Sequence, residues 1–229
     1  MIDRLVLRLP FFFRALIWSV CFLHCSDSIF STESLYPVEH SPQKLTPLME
    51  RELRGCFEFF WEEWNDDPNS PTYGMSNGDY VGLNRYSPIP IEHQGFYFTA
   101  VIIGVERGWI SREDGENRII ITLKTLKSLK RIKGFWYHFI DPDSGKRGWK
   151  DSHNIELSNA SAGTMLLGAL AAAEYFGGEI EKLTYELYEA MDWKWFTNPV
   201  TKHPYLACYP EDLPAKIPSG INKDGMFGG

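Results

Sequence analysis

From Leu48 to Trp64 apolar residues recur at intervals of three and four, and Leu53, Cys56, Phe57, Phe60, Trp61 and Trp64 share one face. That spacing predicts an amphipathic helix. Asn65 to Pro90, rich in Gly, Pro and Asn, reads as a loop. A second helix is predicted from about Gln94 to Arg107; its centre, FYFTAVIIGV, is apolar on several faces, which marks an inner helix, and Gly108 stands at the C′ position. Ser111 with Asp114 three residues on forms an acidic capping box that opens a third helix, running to about Lys130. Ile119, Ile120, Leu123, Leu126 and Leu129 supply its apolar side, and the other side is basic.

The aromatic run GFWYHFI (134–140), the turn Asp141-Pro142-Asp143-Ser144-Gly145 and the return Lys146 to Trp149 predict a hairpin insertion. Strand alternation would send Trp136 and His138 to one face and Tyr137 to the other. A fourth helix, rich in small residues, is predicted over about Leu157 to Phe176, closing at Gly177-Gly178, and a fifth over about Glu179 to Trp195. Thr197 to Gly229 reads as irregular and Pro-rich. Alternating inner and amphipathic helices with long loops predict an all-α helical toroid of paired helices. A closed double ring needs about a dozen helices, so five and a hairpin describe an incomplete one.

Composition adds a compartment and a ligand class. The first 25 residues place Arg4, Arg8 and Arg14 before the apolar run Ala15 to Leu23, and are read as a secretory signal peptide; an uncleaved interfacial anchor or a mis-assigned start are the other readings. Residues 26–45 read as a linker, and residues 46–229 as the folded domain. The expected location is exported: periplasmic, extracellular or membrane-anchored. Cys25 is a candidate lipid acceptor, although Phe22-Leu23-His24 lacks the small residues such a site normally has. With only Cys56 and Cys208 beyond the leader, no disulfide framework is expected. The net charge of −7, which becomes −9 once the leader's three Arg and one Asp are gone, repels phosphate backbones and excludes a nucleic-acid partner. Aromatic residues make up 15% of the chain, more than core filling requires, and point to stacking surfaces of the kind sugar clefts use. Neither a metal-binding motif nor a nucleotide-binding or nucleophile-elbow motif is present, so no metal and no cofactor are expected.

The strings GFYFTAVIIGVERGWISRE (95–113), GFWYHFIDPDSGKRGW (134–149), IELSNASAGTMLLGALAAAEYFGG (155–178) and LYEAMDWKWF (187–196) occur in an order and spacing that resemble the bacterial glucoamylase-like family. That family has an (α/α)6 barrel and includes endo-β-1,2-glucanases. The resemblance runs from about Arg51 to Trp195, and the closing GMFGG resembles the approach to the family's next motif. It implies a glycoside hydrolase that acts on or binds glucan, with inverting chemistry, and residues 46–229 as the amino-terminal part of the barrel. In the family block Glu-x-Ser-x-x-Asp-Thr the Glu and Ser correspond to Glu156 and Ser158, whereas the Asp position holds Ser161. The alternative the missing carboxylate raises is a truncated, inactive carbohydrate-binding remnant. Open inner helix faces would then favour self-association.

Glycosidic hydrolysis requires one carboxyl to protonate the leaving oxygen and another to act on the opposite face. Glu156, just before the small-residue helix, is the first candidate, with Asp151 as its partner. Trp136, Tyr137, His138 and Trp149 on the hairpin, and Glu92 and His93 ahead of the second helix, are candidate substrate contacts. Several have a structural alternative: an ordinary acidic residue favoured near a helix N-terminus for Glu156, core packing for Trp136, a neutral hydrogen-bonding role for His138, a turn-stabilising role for Asp151, simple solvation for Glu92 and His93. Glu106 and Arg107 are expected to pair on the far rim, and Asp192, Trp193 and Trp195 to pack against a neighbouring helix pair.

Overall fold

The computed structural model describes residues 45–79, 87–148, 155–210 and 226–227. Its helices are α1 (Pro47–Glu62), α2 (Ile91–Glu106), α3 (Arg112–Ser128), α4 (Asn159–Phe176) and α5 (Gly178–Glu189). Five two-residue strands accompany them: β1 (Ile89–Pro90), β2 (Phe139–Ile140), β3 (Leu157–Ser158), β4 (Ala207–Cys208) and β5 (Met226–Phe227). The signal segment, nearly all of the linker, Cys25, Trp149 and Asp151 lie outside the described residues.

Local chemistry fixes the helix ends. The Thr46 side chain accepts from Met49 N, with Pro47 at the first helical position of α1. Ser111 accepts from Asp114 N at 3.0 Å and returns its hydroxyl to Asp114 Oδ2 at 2.6 Å. Gly108, at φ 65°, ends α2 as its spacing predicts.

The two helices that are apolar all round, α2 and α4, pack most extensively on each other, and α1, α3 and α5 cover them. Small residues make the central contact possible. A Cβ on Gly95 would strike Thr164 O and the Met165 backbone, and one on Gly168 would strike the Gly95 backbone. Gly95 and Thr164 both belong to the early turns of their helices. At the other end Tyr175 of α4 donates to Glu106 of α2 at 2.6 Å. The two inner helices are therefore parallel, and their N-termini open on the same end of the molecule.

Three expectations change. The fifth helix stops at Glu189, not near Trp195. Gly134, at φ 86°, brings its backbone against Ala190 and Met191, Asp192 N donates to Lys133 O at 2.9 Å, and Trp193 meets Phe135 edge-on at 5.0 Å. Contacts with the 132–135 turn thus replace the last predicted turns. Glu106 and Arg107 do not pair with each other: Arg107 binds Glu50 of α1 at 3.0 Å while Glu106 takes the Tyr175 hydroxyl. The aromatic run forms no long hairpin either. Its strand residues, 139–140, pair with β1 (Ile89↔Ile140, Pro90↔Phe139), and the return is held by an Ile140↔Arg147 bridge.

Candidate active-site cleft

Backbone pairing lays three segments side by side where the N-termini of α2 and α4 open. Ile91 N donates to His138 O at 3.0 Å and His138 N to Glu156 O at 2.8 Å, while Tyr137 bridges Leu157. His138 is thereby held between the first turn of α2 and the lead-in to α4. Its Nδ1 lies 2.8 Å from Glu156 Oε1 and its Nε2 3.0 Å from Glu92 Oε1. An ionised carboxylate only accepts, so both ring nitrogens donate and the ring is an imidazolium. Phe139 stacks on it, ring centres 4.1 Å apart.

The electrostatics agree with this proton count. Burial lowers the imidazole, but the hydrogen bonds and charges of Glu156 and Glu92 prevail and push it up to about 9. Burial raises both carboxyls, yet the bond to His138, a backbone hydrogen bond and the imidazolium charge leave both below the ordinary carboxylate range. The Ser161 hydroxyl adds a small lowering contribution at Glu92, whose Oε2 makes no hydrogen bond of normal length.

This triad borders a cleft of about 460 Å³, a volume typical of small-molecule sites. Ser158, Ala160, Ser161 and Thr164 line it from the start of α4, and Leu206, Ala207 and Tyr209 line it from the strand paired beside β3. Ser158 doubles as the cap of α4, accepting from Ser161 N at 3.1 Å.

Of the sequence candidates, the structure brings together Glu156, His138 and Glu92. Trp136 and Tyr137 are elsewhere, which corrects the stacking expectation. Trp136 is 1% exposed, with Nε1 donating to Leu126 O at 2.9 Å, and Tyr137 is 2% exposed beneath the Arg147 guanidinium. Trp136 is taken up by the end of α3 and the residues after it, its indole bonded to Leu126 O with the Arg131 guanidinium 5.4 Å from its ring, whereas His138 is taken up by the two glutamates. His93 follows Glu92 by about 100° of helix rotation and points toward α1, between Phe60 and Phe96, away from the cleft. The wall from 206 to 209 escaped the sequence reading. Its signal was present as the apolar run Tyr205 to Tyr209 between Pro204 and Pro210, which reads as a short buried strand.

No protein-family model matches the chain. A curated relative, the exo β-1,2-glucooligosaccharide sophorohydrolase (non-reducing end) of Parabacteroides distasonis, is 31% identical over 160 residues, which are 66% of this chain and 21% of the relative. The chain thus spans about a fifth of that protein's length. Among solved structures, a candidate glucoamylase from Bacteroides uniformis superposes with a TM-score of 0.61 at 24% identity, covering 73% of this chain and 41% of that one. An endo-β-1,2-glucanase from Chitinophaga pinensis, in complex with sophorotriose and glucose, gives 0.57 at 23% identity, covering 71% and 40%. A β-1,2-glucanase from Parabacteroides distasonis gives 0.56 at 26% identity, covering 76% and 25%. With its paired inner and outer helices and its ordered sequence blocks, the chain is similar to the bacterial glucoamylase-like proteins and has the fold of part of their helical barrel.

Proposed function

We propose that the cleft takes a β-1,2-linked glucan and that Glu156 is its central carboxylate, serving hydrolysis with inversion through a water molecule. The observation that carries this reading is the Glu156–His138–Glu92 triad on the cleft wall. The imidazolium keeps Glu156 ionised, the form a general base must have, and the names of the relatives supply the β-1,2 linkage.

A second reading, glucan binding without hydrolysis, is favoured by one observation. Both cleft glutamates are committed to His138 as anions, and Ser161 stands where the resembled motif has Asp, so neither carboxyl among the described residues lining the cleft presents a proton to a leaving oxygen. Incubating the purified chain with β-1,2-glucan while following new reducing ends separates the two. Hydrolysis reduced about 10²–10⁴-fold by Glu156→Gln, with glucan binding retained, supports catalysis by Glu156. Hydrolysis that survives the substitution removes that role; binding without hydrolysis by the unaltered chain establishes the second reading, and absence of binding sinks both.

A further inference from the structure

The ladder between β3 and β4 pairs Leu157 with Cys208 and Ser158 with Ala207, antiparallel. Asn159 N donating to Leu206 O at 3.2 Å extends the same register in one direction. Continued one pair in the other direction, it sets Tyr209 opposite Glu156. Alternation then sorts the side chains. Leu157 and Cys208, on one face, have no exposure, whereas Glu156, Ser158, Ala207 and Tyr209, on the other, all border the cleft. β4 is hydrogen-bonded on its far side to β5 (Cys208↔Met226), so the segment leading to Tyr209 is fixed between two neighbours.

We propose that Tyr209 is a sugar-binding residue of this cleft, its phenol set opposite Glu156 by the strand register so that both grip the same glucosyl unit. The inference rests on the glucan reading of the cleft. Among the described residues the Tyr209 hydroxyl makes no hydrogen bond, which leaves it available to a ligand. Burial and then the Glu156 charge raise the phenol while Arg147 opposes them, so it stays protonated and donates at neutral pH. The aromatic face, beside the half-exposed Leu206, gives the apolar side of a pyranose a surface on the strand next to Glu156. Tyr209 supplies the aromatic contact that Trp136 and Tyr137, both in the core, do not.

Calorimetric titration of the full chain with a β-1,2-linked glucotriose tests this. Tyr209→Phe should weaken binding about tenfold, the effect of one lost hydrogen bond, with an unchanged melting temperature, and Tyr209→Ala should weaken it further. Joined to Glu156→Gln, Tyr209→Phe should cost less than its separate effect, because the two groups hold one sugar unit. Binding by Tyr209→Phe within twofold of the unaltered chain, or strict additivity of the pair, overturns the proposal and leaves the glucan reading standing. An unaltered chain that does not bind the trisaccharide overturns both.

Discussion

His138→Gln takes away the cation between two partly buried carboxylates, and the structure fixes both the size and the pH window of the effect. Raising the imidazole from 6.5 to about 9 corresponds to about 3 kcal/mol of preference for the protonated folded form. Since the folded value lies above the unfolded one, this contribution is complete below about pH 6.5 and disappears as the pH rises through about 9. The carboxyls set the acid limit. Held below the ordinary 4.5, they stabilise the fold above that pH, and their share is lost as the pH falls through their lowered values. Because the hydrogen bonds are the same ones seen from either partner, the effect counts once. The stability gap between the unaltered chain and His138→Gln should therefore be widest near pH 6, about 2–3 kcal/mol after allowing for a neutral amide hydrogen bond from Gln, and should fall below about 1 kcal/mol at pH 9.5. Urea unfolding followed by tryptophan fluorescence at the two pH values measures the gap, and an imidazole nitrogen titration by NMR locates the midpoint. An imidazole midpoint near 6.5, or an equal gap at both pH values, refutes the triad as described.

Gly168→Ala should lower stability by about 2–3 kcal/mol in thermal unfolding, since its Cβ would meet the Gly95 backbone, which cannot swing aside as a side chain can. By pushing α2 from α4 it should also distort the cleft bordered by Glu92 at the start of α2 and by Ser158 at the cap of α4, and so weaken the proposed glucan binding. Trp136→Phe should behave in the opposite way: loss of its bond to Leu126 O and of ring volume lowers the melting temperature by the equivalent of about 1–3 kcal/mol, while glucotriose affinity stays within twofold. A large loss of affinity there would return Trp136 to the cleft.

The amino-acid sequence by itself determined the helices, because the information for a helix is local. The three-and-four spacing of Phe57, Phe60 and Trp61, the Ser111 capping box and the left-handed Gly108 each act within a turn or two, and the all-apolar FYFTAVIIGV stretch marked α2 as an inner helix without knowledge of its partner. Glu156 was legible as a candidate from its place before a small-residue helix and from the resembled motif. Only the tertiary structure decided what surrounds it. Long-range pairing of two-residue strands set His138 between Glu156 and Glu92 and brought residues 206–209 alongside Glu156, and so short a strand leaves almost no periodic trace. The same holds for what the chain buries: Trp136 and His138 are two residues apart and equally plausible in sequence, yet contact with Leu126 of α3 takes one into the core and two glutamates hold the other at the cleft. Burial is a property of the whole packed molecule, and so is the meeting of His138 with two anions, which outweighs burial and makes it a cation.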